Sequence, residues 1–283
     1  MTVEFEATLF ADLAGRGLVA DKPERLQGGR SNRVWRAGHT VIKLYSRGST
    51  NPLFANDWRR EEASLVALSR TGMVPRLLET GEFNGHHWLA YSHIQGENWR
   101  ADTGHVAQLL GRLHDQTGIP KLPLGVNGSA EIANQTQKIL TLCQNRSHIL
   151  EQQPSTEVAA YEKPVLIHGD PVPGNLLEHD GTLTLIDWQC PQMGDPAEDL
   201  ALFLSPAMQL LYRGSQLSGE EENTFLEAYP DRRIVERLQV LKPWYHWRMA
   251  AYCQWKLEQG GERDAEAMGL ELQALQSINP SAR

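Results

Sequence analysis

The stretch Val165-Leu-Ile-His-Gly-Asp-Pro-Val-Pro-Gly-Asn-Leu-Leu177, followed by Thr182-Leu-Thr-Leu-Ile-Asp187, sets three hydrophilic side chains beside short apolar runs: Asp170, Asn175 and Asp187. A carboxylate and an amide oxygen are hard ligands of the kind Mg²⁺ takes, while it keeps waters and substrate phosphates in its octahedron. A second carboxylate can orient a hydroxyl and take its proton. Phosphoryl transfer uses this set, because it needs metal-bound phosphates, charge stabilisation and a positioned hydroxyl more than covalent help. One Asp alone in a loop is ordinarily a turn former or a helix cap. Three ligand types spread over one strand–loop–strand unit are not explained that way.

The elements that must hold these residues can be read from periodicity. Val165–Ile167 and Thr182–Ile186 read as short apolar strands, with Gly, Pro, Asp and Asn in the loops beside them. Farther upstream, Arg33–Arg36 and Thr40–Tyr45 flank Gly38-His39, and Arg76–Glu82 and His87–Tyr91 flank Asn84-Gly85. Both read as hairpins, the second strongly, since Asn and Gly tolerate positive φ. Between them Asp57–Arg70 reads as a helix with Trp58, Leu65 and Leu68 on one face and Thr71-Gly72 as its stop. The first ninety or so residues are therefore expected to be mostly strands. Beyond Gly96 the texture is helical, with an apolar stripe at Val106, Leu109, Leu110 and Leu113 and a further helix within Ile132–Leu150. The expected class is α+β: a nucleotide-binding lobe over residues 1–93, and a larger, mainly helical catalytic and acceptor-binding lobe over 94–283.

The front lobe carries its own candidates. Gln27-Gly28-Gly29-Arg30-Ser31-Asn32 precedes a strand, where a Gly-rich turn lets backbone N–H groups approach phosphates. No Gly-Lys-Ser/Thr follows, so this is not a P-loop. Lys43 lies fourteen residues after Gly29, inside the apolar run Val41-Ile42-Lys43-Leu44. Such a Lys often points to water; with the Gly-rich turn before it and an acidic helix behind it, a phosphate-binding role is the stronger reading. Of the adjacent Glu61 and Glu62, Glu61 shares the face of Trp58, Leu65 and Leu68, while Glu62 is turned by about 100°.

Composition narrows the function classes. The chain has 283 residues and a formal net charge of -8, with no basic stripe of the kind nucleic-acid binders need. No run of about 18 apolar residues could span a bilayer. Met1–Leu18 lacks the basic start and apolar core of a signal peptide. Cys143, Cys190 and Cys253 are odd in number and far apart, which fits free thiols in a reducing cytoplasm.

The run His168-Gly-Asp170, with Asn175 five residues beyond Asp170 and then Ile186-Asp187-Trp188, resembles the aminoglycoside phosphotransferase/choline kinase family. The resemblance implies a two-lobed protein-kinase-like fold and a kinase using Mg²⁺ and ATP on a small-molecule hydroxyl acceptor. It makes Asp170 the catalytic base, Asn175 and Asp187 the metal ligands, and His168 a buttress of the loop. It also has Lys43 grip the α/β-phosphates, paired with Glu61, since Arg60-Glu61 matches the family's Arg-Glu register. Ser92 and Ile94 would hold adenine through main-chain groups, although a plain edge strand is the other reading there. Asp199, in Gly194-Asp-Pro-Ala-Glu-Asp199, would brace the catalytic loop from behind. Pro171 and Val172 stand where many relatives carry Leu and His, so any contribution of that His is absent.

The acceptor is the open question at this level. Trp244, Trp247, Ala251 and Trp255 follow helical spacing in an aromatic-rich stretch, which reads either as packing or as a wall for a cation. With Trp188 next to Asp187 and an acidic net charge, a cationic amino alcohol (choline or ethanolamine) or thiamine is expected ahead of an aminoglycoside or other sugar. A catalytically silent, nucleotide-binding regulatory module is the reading from another class. The joint presence of Lys43, Glu61, Asp170, Asn175 and Asp187 argues against it.

Overall fold

The chain opens with a helix, α1 (Val3–Gly15), in the region expected to be mostly strand. Its Leu9 and Leu13, four residues apart, are fully buried. They pack with Trp35, Ile42, Leu44 and Trp88 on the outer face of an antiparallel sheet. In this computed structural model, residues 3–26, 31–46, 48, 51–118 and 121–278 are described. The strands are β1 (Glu24–Arg25), β2 (Arg33–Ala37), β3 (Thr40–Leu44), β4 (Leu77–Phe83) and β5 (His86–Ser92). They lie in the order β1-β2-β3-β5-β4.

Strand alternation sorts the residues of β3 onto two faces. Ile42 and Leu44 join the α1 cluster, whereas Val41 and Tyr45 belong to the main core on the other side. Lys43 shares that second face. The β4–β5 turn has Asn84 and Gly85 at φ 47° and 75°, the left-handed conformations the Asn-Gly pair led one to expect. Helix α2 (Trp58–Ala67) lies in the chain between β3 and β4 and buries Glu61, Ser64 and Leu65.

The second lobe is helical around two small sheets. It comprises β6 (Glu97–Asn98), α3 (Thr103–His114), α4 (Ser129–Thr141), α5 (Ser147–Leu150), β7 (Val165–Ile167), β8 (Leu176–His179), β9 (Thr182–Leu185) and β10 (Gln192–Gly194). Then follow α6 (Pro196–Leu204), α7 (Pro206–Met208), α8 (Gly219–Ala228), α9 (Arg232–Glu258) and α10 (Asp264–Ile278). Strands β6, β8 and β9 form one antiparallel sheet, and β7 pairs with β10. The α+β class with a sheet lobe and a helical lobe is thus as expected. The helix read within Ile132–Leu150 is broken into α4 and α5. The reason is tertiary: the Glu258 carboxylate at the end of α9 accepts the Gln144 and Asn145 N–H groups at 2.8 and 2.9 Å, satisfying a turn there. Among the described residues, no helix is long and apolar enough to cross a membrane.

Helix α9 is the axis of this lobe, and it carries a buried charge. Arg248, 1 % exposed, donates to Glu198 of α6 at 2.8 Å and to Gln135 of α4 at 2.9 Å. Its guanidinium also lies over the Tyr245 ring. Burial pushes the Glu198 carboxyl up, and the Arg248 charge opposes that. Removing one partner strands the other charge in the core. Arg248→Met is expected to cost about 3–5 kcal/mol in urea unfolding, and adding Glu198→Leu to recover most of it. Equal stability of Arg248→Met and the wild type would show that this pair does not tie α4, α6 and α9 together.

Candidate active site

Between the lobes lies a cleft of about 480 Å³. Val41, Lys43 and Tyr91 line it from the sheet, Asn175, Ile186 and Asp187 from the catalytic segment, and Ser92, Ile94 and Gly96 from the crossover. Ser92 is held in register by two bonds to Arg76: its N–H donates to the Arg76 carbonyl and its Oγ accepts from the Arg76 N–H, both at 2.9 Å. Ser92 and Ile94 both line the cleft.

At the base of the cleft, Lys43 is buried between two carboxylates. Its ammonium donates to Glu61 at 2.5 Å and also to Asp187. Burial would push Lys43 down, but Asp187 and Glu61 outweigh it, and the ammonium is held well above its ordinary value. The Glu61 carboxylate also accepts from the Tyr45 hydroxyl. Glu62 faces elsewhere and accepts from the Thr80 hydroxyl at 3.0 Å. Tyr45 was missed in the sequence, yet it stands two residues after Lys43 and shares its strand face. Asp187 itself has φ 63°, a left-handed conformation uncommon for residues other than Gly. In this conformation its carboxylate meets Lys43.

Asp170 and Asn175 meet across the loop that follows β7. The Asn175 Nδ2 donates to the Asp170 carbonyl at 2.9 Å and to its carboxylate at 3.2 Å. With Nδ2 spent on Asp170, the amide oxygen is the group left to act as a hard ligand. The loop is braced from behind by Asp199 of α6, which accepts the His168 and Gly169 N–H groups, both at 2.8 Å. His168 Nδ1 accepts from the Asp170 N–H, and Nε2 donates to the Ile186 carbonyl at 3.1 Å. Burial pushes this imidazole down, so it stays neutral with its proton on Nε2. Gly169 has φ 78°, and a Cβ there would lie 2.5 Å from the Cys190 carbonyl. Only Gly fits this approach. His114 completes the support, bonding Asp199 at 3.1 Å and the Tyr229 hydroxyl at 2.8 Å.

Several expected contacts take a different form. Gly28 and Gly29 lie outside the described residues. Ser31 is half-buried just before β2. Asn32 is 7 % exposed, and both ends of its side-chain amide are committed to protein partners. Trp188 is fully buried, donates to the Leu185 carbonyl at 2.9 Å and packs edge-on against His168. It supports the loop and cannot reach an acceptor. Trp247 is likewise fully buried and donates to the Ile149 carbonyl; Trp244 is 5 % exposed and donates to the Thr156 carbonyl. Both are packing residues of α9. Helical periodicity places such residues on one face but does not say what covers that face.

Residues 22–238 match the model of the phosphotransferase enzyme family, APH. Among solved structures, a choline/ethanolamine kinase family protein from Mesorhizobium loti is similar at 16 % identity and TM-score 0.68, covering 98 % of each chain. Choline kinase LicA from Streptococcus pneumoniae is similar at 18 % identity and TM-score 0.66, covering 95 % of this chain and 98 % of its own. Amicoumacin kinase hAmiN, solved with AMP-PNP, Ca²⁺ and Ami, is similar at 15 % identity and TM-score 0.61, covering 99 % and 97 %. The family match spans most of the cleft-forming segments, and the whole fold has kinase counterparts. The chain therefore belongs to the phosphotransferase enzyme family and is a small-molecule phosphotransferase.

Proposed function

We propose that this chain moves the γ-phosphate of Mg·ATP onto a hydroxyl of a small molecule, with Asp170 orienting that hydroxyl and taking its proton. The observation that carries this reading is the convergence of Lys43, Glu61, Asp187, Asn175 and Asp170 at one end of the cleft. The donor set fits a divalent ion of the Mg²⁺ kind. Asp187 supplies a partly exposed carboxylate and Asn175 an amide oxygen, both hard ligands that leave room for phosphate oxygens and water. A bound Mg²⁺ supplies charge neutralisation on the transferring phosphates. Lys43 holds the α/β-phosphates, and Glu61 holds Lys43. Ser92 and Ile94 take the adenine edge through the main chain. Nucleotide complexes of similar kinases, with AMP for LicA and AMP-PNP for hAmiN, support a nucleotide in this cleft.

For the acceptor we favour a cationic amino alcohol or thiamine over an aminoglycoside. On α9 the half-buried aromatic is Trp255, since Tyr252 is as buried as Trp244. Tyr252 packs with Val172 and Cys190 of the catalytic segments, and half-buried Trp255 packs beside it. Phe54 closes edge-on to Tyr252 at 5.1 Å. The Lys256 ammonium lies 5.6 Å from the Trp255 ring centre, a cation–π contact within the chain.

Three outcomes test the reading. Asp170→Asn should lower kcat by roughly 100- to 10,000-fold while calorimetric MgATP affinity stays near that of the wild type. Wild-type turnover in that variant would remove Asp170 from the reaction. Lys43→Ala should lower kcat/KM for MgATP by roughly 100- to 1,000-fold, as expected on losing a preorganised charge. In a coupled ADP-release screen, choline, ethanolamine or thiamine should give the highest kcat/KM. A higher value on aminoglycosides or neutral sugars would overturn the acceptor class.

A further inference from the structure

A cluster of carboxamides joins the two lobes a few residues from the charged site, and the reaction as described does not use it. Asn32 and Asn56 form a reciprocal pair. Asn32 Nδ2 donates to Asn56 Oδ1 at 2.7 Å, and Asn56 Nδ2 donates back to Asn32 Oδ1 at 3.0 Å. Asn32 Oδ1 also accepts the Ser46 N–H at 3.1 Å, and Asn32 Nδ2 donates to Gln189 Oε1 at 2.8 Å. Main-chain and thiol bonds run alongside: the Asp57 N–H donates to the Gln189 carbonyl at 3.4 Å, and Cys190 Sγ donates to the Ala55 carbonyl at 3.3 Å. Asn32 and Gln189 are both buried, 7 % and 6 % exposed.

The positions of these residues give the cluster its meaning. Asn32 immediately precedes β2. Ser46 lies three residues beyond Lys43, and Asn56 lies just before the Asp57 cap of α2, the helix that carries Glu61. Gln189 is two residues beyond Asp187. One buried knot therefore touches the flank of every element that contributes to the Lys43–Glu61–Asp187 cluster. Buried carboxamides are costly unless each donor and acceptor is met, so this arrangement has a narrow geometric optimum.

We propose that Gln189 is a positioning residue of the phosphotransfer site: by accepting from Asn32 it locks the two lobes at the separation at which Lys43 and Asp187 meet. The lock rests on the reading of the cleft as the Mg·ATP site, but its own geometry can be tested without nucleotide. Gln189→Met keeps the volume and removes the acceptor; Gln189→Glu keeps the acceptor oxygen. Positioning errors of about 1 Å cost on the order of 100-fold in rate. Gln189→Met should therefore lower kcat by about that factor with less than a threefold change in KM for the acceptor, and Gln189→Glu should recover most of the rate. A residue that only fills space would give the opposite order, with the Met variant the more active.

The second measurement is amide hydrogen exchange on the nucleotide-free chain. In Gln189→Met, the Asp57 amide, which bridges the lobes, should exchange at least tenfold faster, while core amides of α3 such as Leu110 keep their protection. Unchanged exchange at Asp57 would overturn the lock. A wild-type chain that binds no MgADP by calorimetry would sink the reading of the cleft, and the exchange result would still decide the lock.

Discussion

Burying one ammonium with two carboxylates from three separate elements constrains everything around it. Lys43 comes from a central strand, Glu61 from a helix laid across the sheet, and Asp187 from the loop after β9 in the other lobe. Neither Lys43 nor Glu61 could be buried alone without shifting its charge state, because an unpaired ion in a low-dielectric interior is strongly disfavoured; Asp187, partly exposed, completes the set. The three are stable there only together, so α2 must abut β3 and the lobes must close at that point. The left-handed backbone of Asp187 and the hydroxyl of Tyr45 are local consequences of that demand.

The catalytic loop follows a second constraint, that its polar main chain be satisfied without regular structure. Asp199 takes two successive N–H groups, His168 takes the third and returns a bond to Ile186, and Trp188 packs the imidazole from the side. His114 and Tyr229 orient Asp199 in turn. Preorganisation of this kind allows a loop to hold a carboxylate with the accuracy that phosphoryl transfer requires. The aromatic residues of α9 serve the same end. Trp244 and Trp247 spend their indole N–H groups on the carbonyls of Thr156, beyond α5, and of Ile149 within it, anchoring the helical lobe from which α6 projects Asp199.

Much of the site was legible because local chemistry carries it. Short apolar strands beside Asp, Asn and Gly residues announce a loop that needs oxygen ligands, and the 3.6-residue period separates Glu61 from Glu62. Other features left no such trace. Helix α1 mixes Glu4 and Glu6 with apolar residues at irregular spacing, and its two buried leucines acquire meaning only against the sheet. Strand β8 starts within the Asn175-Leu-Leu motif and reads as loop until β9 pairs with it. Asn32 looked like part of a phosphate-binding turn, as an Asn after two glycines would. Its actual partners, Ser46, Asn56 and Gln189, lie 14, 24 and 157 residues downstream.

The amino-acid sequence by itself determined the reaction class of this phosphotransferase and its α+β organisation, and it singled out the residues proposed for its site, since these depend on residue type and short spacing. Tertiary structure alone decided which aromatics are packing and which border the catalytic segments, and which polar side chains join the lobes. The physical reason is that burial and hydrogen-bond partnership are properties of what covers a residue. Asp170, Asn175 and Asp187 were visible as a set of ligand types, but the meeting of Asp187 with Lys43 exists only once two lobes close on each other.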